Sequence, residues 1–409
     1  MTDIWFQAAL WLGLALLATL LSGALRIATA LSEIVVGTVA QLLLGVLLGT
    51  AVLKGDTSWV QFLSGAGAIL LTFLAGAELD PTVFRKKWKE ALLIGLISFF
   101  LPFLLCSGLA YWGMEWSGQA SWLAGIAMST TSVAVVYAVM LELGINTSDY
   151  GKTVLAACFV TDLATVIALG LLFAPFTSRT LVFTGSMVAA AFILPWLTPR
   201  FFRRFGERPS ELEAKFLMLC LFALGGLATW ADSEAVLPAY LIGMVLAGTV
   251  GKDHSLIRRL RTLTFGLLTP FYFLRAGSLV SLPALVAAPG MFLLLLFVKM
   301  GAKLTGIYPV CRGYGSSRQE SMYTTLLMST GLTFGTISAL FGLSHHLISE
   351  AQYSALVAAV IGSAVIPTLI ANAFFLPRHL VPDKPVFEQR KEHSAGKSNR
   401  AESTKGKLN

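Results

Sequence analysis

The residue with most chemical potential is Asp162, about eleven residues into an otherwise apolar run over 151–174. A carboxylate in hydrocarbon costs about 3 kcal/mol or more unless it is paired, protonated or hydrated. Its ordinary use there is reversible binding of a proton or a small hard cation, which takes oxygen ligands. Thr161 precedes it and offers one such oxygen. Two hydroxyl clusters offer more: Met128-Ser129-Thr130-Thr131-Ser132 and Met328-Ser329-Thr330-Gly331-Leu332-Thr333. Both begin Met-Ser-Thr in the middle of an apolar run. Basic residues also lie within apolar runs, namely Arg275, Lys299 and Lys303. Lys299 and Lys303 are four apart and share one helix face. At least one of these cations should balance Asp162 or Glu78, and the spacing alone leaves open which.

The elements that position these residues follow from composition. Of the 409 residues 56% are hydrophobic and 13% charged, with a mean hydropathy of +0.75. A soluble domain carries about 25% charged residues. Soluble enzymes and disordered chains are therefore excluded. The apolar runs are continuous, whereas a membrane barrel alternates. The fold class is an all-α polytopic membrane protein. At about 20 apolar residues per crossing, thirteen runs emerge: 4–25, 33–53, 61–79, 91–113, 121–142, 151–174, 181–198, 214–231, 234–251, 264–281, 286–308, 320–342 and 353–376.

The net charge of +8 reads as topology rather than nucleic-acid binding. With the N-terminus outside and the C-terminus cytoplasmic, Lys54 and Arg179 alone fall in outside loops, as the positive-inside rule requires. The first run lacks a basic leader and cleavage site, so it reads as an uncleaved span. Residues 1–376 form the transmembrane domain. The segment 377–409 is polar and basic, reads as a disordered cytoplasmic tail, and carries no nucleotide-binding fingerprint. The four cysteines lack metal spacing and read as packing. His345 and His346 read as solvated, and Glu33 and Glu142, near span ends, are assigned no transport role.

The two hydroxyl clusters occupy the fifth and twelfth runs, an odd number apart, so they cross the bilayer in opposite directions. Ser, Thr and Gly are poor helix formers. Paired broken helices in antiparallel halves mark inverted-topology repeats, with Ser129, Ser329, Thr330, Gly331 and Thr333 at the breaks.

These residues resemble the monovalent cation/proton antiporter superfamily, in particular its second branch of bacterial sodium/proton and potassium/proton exchangers. Phe73-Leu74-Ala75-Gly76-Ala77-Glu78-Leu79-Asp80 is similar to its F-x-A-G-L-E-x-D segment, and Thr131-Ser132-Val133-Ala134-Val135-Val136 to its broken helix. Leu141-Glu142-Leu143-Gly144 is similar to the turn that follows, and 270–277 to its crossing segment. Asp162 falls on the ion-binding aspartate, and Lys303-Leu304-x-Gly306 fits the lysine helix better than Lys299 does. Thr161 replaces the usual Asp, Asn or Gln, and Thr330-Gly331-Leu332-Thr333 replaces a common Pro-Arg-Gly-Glu.

The resemblance implies exchange of H⁺ for Na⁺, with Li⁺ or K⁺ as alternatives, by alternating access with competition at Asp162. It implies a homodimer in the cell membrane, in a bacterium the inner one, with no cofactor beyond the transported ions. Other readings are a channel-like K⁺ efflux system and a sodium-coupled organic anion symporter. No hydrolase or metalloprotease motif supports an enzyme.

Overall fold

In lipid every backbone polar group must be satisfied within the chain, so continuous apolar runs become helices. The computed structural model describes residues 2–25, 28–48, 53, 55, 57–77, 81–173, 177–206, 210–231, 236–278 and 289–381, and every regular element among them is helical. The first half comprises α1 (Thr2–Leu25), α2 (Thr29–Leu48), α3 (Ser58–Ala77), α4 (Pro81–Gly108), α5 (Gly118–Ser129), α6 (Val133–Glu142), α7 (Asp149–Phe173) and α8 (Ser178–Phe205). The second comprises α9 (Leu212–Trp230), α10 (Val236–Leu246), α11 (His254–Leu263), α12 (Thr269–Ser278), α13 (Pro289–Gly313), α14 (Arg318–Met328), α15 (Thr333–Ser344) and α16 (Glu350–Phe374).

Each of the thirteen apolar runs overlaps a helix. Among the described residues ten spans are long and apolar enough to cross a bilayer by length and composition, counting α5–α6 and α14–α15 as one each. The shorter members are α2, α10 and α12. The tenth run differs most from its expected form. Its first turn is a π-helix over Thr264–Leu268, and the α-helix that follows has ten residues. Pro270, which lacks a backbone donor, falls at this junction.

The inverted repeat is visible in how helices pair. α2 packs on α12, and α10 packs on α3. Glycines set both contacts. A Cβ on Gly37 would strike the Leu274 carbonyl, and one on Gly277 the Ile34 carbonyl. In the same way Gly76 faces the Tyr240 carbonyl and Gly243 the Phe73 carbonyl. Small residues let membrane helices approach to backbone contact. In the other layer α4 packs on α5 and α7 as α13 packs on α14 and α16. The result is one bundle of α4–α7 and α13–α16 against a scaffold of α1–α3 and α8–α12. At the edge between them, Glu142 at the end of α6 accepts the Thr29 N–H at the start of α2 on both carboxylate oxygens, each at 2.9 Å. An anion at a helix N-terminus is favoured by the helix dipole.

The loop after α10 contains a helix that the apolar runs did not reveal. In α11 the residues Leu256, Ile257 and Leu260 are buried while Arg258 is exposed. Asp253 caps it, accepting from the backbone of Ser255 and Leu256 at 3.0 Å each. Burial pushes the Asp253 carboxyl up. The hydrogen bonds from Leu256 and Ser255, with Arg259 nearby, outweigh that and hold it below the usual carboxylate range. The stabilisation is therefore complete above the unfolded pKa of about 3.9 and is lost as pH falls through the lower folded value. Asp253→Ala is expected to cost about 1 kcal/mol and to speed amide exchange in 254–263, read by hydrogen–deuterium exchange. Unchanged exchange there would refute the cap.

Candidate functional site

The first broken helix stops at Ser129 because hydroxyls replace the continuing N–H groups. Ser129 Oγ donates to the Ile126 carbonyl at 2.8 Å, and Thr130 Oγ1 to Ala127 at 2.9 Å. Thr130 and Ser132 are extended, and Ser132 caps α6 by accepting from Val135 N–H at 3.4 Å. The second helix breaks the same way. Ser329 Oγ donates to the Thr325 carbonyl and Thr330 Oγ1 to Leu327, both at 2.8 Å, and α15 restarts at Thr333. The repeated Met-Ser-Thr is thus a repeated stop. A hydroxyl that has given up its proton to a carbonyl still offers oxygen lone pairs to a cation.

The two breaks cross and bond. Ser132 N–H donates to the Thr330 carbonyl at 3.1 Å, Thr131 Oγ1 donates to the Met328 carbonyl at 2.8 Å, and Ser132 Oγ lies 3.5 Å from Thr333 Oγ1. Tyr272, from α12 of the scaffold, bonds through its hydroxyl to Thr333. Tyr272→Phe is expected to lower stability by about 1 kcal/mol, read as a lower melting temperature in detergent. An unchanged melting temperature would show that this link carries no energy.

Asp162, on α7, is 6% exposed. The Val133 N–H, first in α6, is directed at its carboxyl, so the carboxyl faces the positive end of a half-helix. Its Oδ1 has no hydrogen-bond partner. A buried carboxylate oxygen left without a donor is costly and suits an incoming proton or cation. Lys303, on α13 and fully buried, donates to Ser98 Oγ at 2.6 Å, the Ser129 carbonyl at 2.9 Å and Thr131 Oγ1 at 3.1 Å. All three ammonium protons are used, and the charge sits on the negative end of α5. Its field acts on Asp162, yet among the described residues no ion pair within 4.0 Å joins them. Asp162 is therefore attracted by a cation without being locked to it.

The structure thus gathers Asp162, Ser129, Thr130, Thr131, Ser132, Ser329, Thr330, Gly331, Thr333, Lys303 and Lys299 around one crossing. Thr161 is adjacent in sequence but turns to α4, its Oγ1 lying 3.1 Å from the carbonyls of Gly95 and Ala157. Arg275 lies elsewhere, its Nε donating to the Gly55 carbonyl at 2.9 Å beside Trp11 and Phe271. Glu78 and Asp80 lie outside the described residues, as does the tail from 382 onward. Three contributors escaped the sequence reading: Ser98, Ser363 and the Tyr272 hydroxyl. A lone serine in an apolar span carries no signal, since most such residues pack against neighbours. Tyr272 lies in the 270–277 segment, whose resemblance to a crossing segment does not single out its hydroxyl.

A family model described as "Sodium/hydrogen exchanger, transmembrane" matches residues 12–376. The chain belongs to this family. It is therefore a multi-pass membrane protein of a transporter family rather than an enzyme. It is 26% identical over 352 residues to a Na(+)/H(+) antiporter of Enterococcus hirae, covering 82% of this chain and 91% of that one. It is 24% identical to Cation/H(+) antiporter 17 of Arabidopsis thaliana, covering 88% of this chain and 48% of that one. The chain thus spans about half the length of some relatives it matches. It shares its fold with the sodium proton antiporter MjNhaP1 from Methanocaldococcus jannaschii, at a TM-score of 0.67 and 16% identity over 93% of this chain and 98% of that one.

Proposed function

We propose that the chain exchanges H⁺ for a monovalent cation, with Na⁺ favoured, across the membrane. The observation that carries this is the buried Asp162 carboxylate with an orphan Oδ1, between a half-helix N-terminus and the field of an ammonium already saturated by other partners. One carboxylate holds either a proton or a cation, and that competition couples the two fluxes. The hydroxyls and carbonyls of the crossing complete an oxygen-rich seat. One charge each way makes the exchange 1:1 and electroneutral.

Alternating access has the bundle of α4–α7 and α13–α16 moving against the scaffold. The contacts that must rearrange are Tyr272 with Thr333, Tyr240 Oη with the Leu155 carbonyl at 3.1 Å, and Glu142 with Thr29. A homodimer associating through the scaffold is part of this reading, on the family resemblance. So is the orientation with N-terminus outside, on the charge pattern.

The test is dissipation of ΔpH in proteoliposomes as Na⁺, Li⁺ and K⁺ are titrated at several pH values. Saturable cation-dependent proton movement, insensitive to a clamped membrane potential, is the expected result. Conductance without coupling to ΔpH would replace it with a channel, and a requirement for an organic anion would replace it with a symporter.

A further inference from the structure

The two half-helices that leave the crossing are related by the repeat, and the register of the two Met-Ser-Thr segments pairs them residue by residue. Val133, Val136, Tyr137 and Met140 on α6 correspond to Thr333, Thr336, Ile337 and Leu340 on α15. Their surroundings differ. Every residue of α6 from Val133 to Met140 is buried, and the helix packs on α2 and α3 of the scaffold as well as on α7. α15 packs chiefly on α5, α7 and α16, all in its own bundle. Gly335 and Gly342 set that packing, facing Val360 and Leu123. The opposite side of α15 is open. Thr336 and Ile337 are partly exposed and Leu340 is 50% exposed. These positions lie three, four and seven residues after Thr333, so they continue its face. Thr333 is the residue that meets Tyr272 of the scaffold. The open stripe therefore looks toward the boundary between bundle and scaffold. α7 repeats the asymmetry. Thr153 to Phe159 are all buried, with Phe159 stacked on Tyr240 at 4.4 Å between ring centroids, whereas Leu163, Ala164, Val166 and Ile167, beyond Asp162, are partly or fully exposed.

We propose that the stripe Thr333, Thr336, Ile337 and Leu340 is the outer path of the cation to the crossing, with Tyr272 as its floor, and that this structure holds the inner path shut. The inner closure is made by α6 against α2 and α3, by Tyr240 on Phe159 and on the Leu155 carbonyl, and by Glu142 on Thr29. The outer closure is the Tyr272 hydroxyl on Thr333 alone among the printed side-chain bonds of α15 to the scaffold. The sidedness and the passenger rest on the exchange reading, whereas the open and the closed face stand on the packing. The two half-helices point in opposite directions from one crossing. A tilt of the bundle that presses Thr336, Ile337 and Leu340 onto the scaffold would release Val136, Tyr137 and Met140 on the other side.

The experiment measures which face water reaches. Thr336→Cys, Leu340→Cys, Val136→Cys and Met140→Cys are treated with a membrane-impermeant cationic thiol reagent in right-side-out and inside-out vesicles. Labelling is read peptide by peptide by mass spectrometry, with the native cysteines of wild type, three buried and Cys220 partly so, as the baseline. Thr336→Cys and Leu340→Cys are expected to label from outside about tenfold faster or more than Val136→Cys and Met140→Cys label from inside, since a minor conformer holds about 10% of molecules or less. A stripe that faced lipid would leave Thr336→Cys and Leu340→Cys unlabelled, because the reagent needs a hydrated thiolate, and that result overturns the proposal. So does labelling of the two pairs at equal rates, or of Thr336→Cys from inside only. Thr336→Trp adds bulk to the open face. It is expected to keep the melting temperature and to lower cation-dependent exchange about tenfold or more, and unchanged exchange in that variant also overturns the path. Should wild type itself show no exchange, the exchange reading fails, and the labelling still decides which face is open.

Discussion

Asp162→Asn is expected to reduce cation-dependent proton exchange in proteoliposomes to the protein-free leak, while the protein still purifies as a folded species. Asparagine keeps the size and one oxygen but can neither take up a proton at neutral pH nor neutralise a cation. Stability should not suffer. The substitution removes a buried negative charge whose Oδ1 lacks a donor, so the melting temperature is expected to stay level or rise. A second readout separates loss of binding from loss of turnover. Sodium at one hundred times its Kd stabilises a binding-competent protein by about 2.7 kcal/mol, so the wild type should gain melting temperature with added Na⁺ and the variant should not. Retained exchange, or an equal sodium-dependent gain in the variant, would move the site away from Asp162.

Lys303→Ala carries the largest expected cost in stability. The side chain is fully buried and its ammonium saturates Ser98, the Ser129 carbonyl and Thr131. Its removal leaves the negative end of α5 uncompensated in a low-dielectric interior and takes from Asp162 the positive field that acts on it. Three hydrogen bonds from a charged donor are lost, each worth about 1.5–3 kcal/mol, against the relief of no longer burying the ammonium, so a net loss of about 3 kcal/mol is expected. The loss should appear as a marked fall in melting temperature and in yield of folded protein. Coupling can be tested directly. Asp162→Asn in the Lys303→Ala background should recover part of the loss, because it removes the stranded carboxylate. A double variant whose stability is the simple sum of the two singles would show that the two charges do not communicate.

Much of this architecture could be read without coordinates, for physical reasons. Long apolar runs have few structural options in lipid. A mid-span carboxylate has few uses. Two Met-Ser-Thr segments an odd number of spans apart fix an antiparallel relation. The α11 helix was not legible, because its ten residues are amphipathic and lie among basic loop residues. The extent of the tenth run was not legible either, since a π-turn and a short helix replace one long element there.

By itself the sequence determined the membrane class and the repeated break, and it singled out one acid within an apolar span, because hydropathy, helix propensity and the cost of a buried charge are local properties of residue type. The tertiary structure decided which groups meet. Lys299 and Lys303 share a helix face, and their spacing does not say what either meets, yet Lys303 rests on the end of α5 and Lys299 fills the space beside Gly331. Arg275, equally basic and equally within an apolar run, is turned to the Gly55 carbonyl, and Thr161 is turned to α4. Such pairings depend on helix rotation and on close approaches set by glycines across distant parts of the chain, which one-dimensional spacing does not encode.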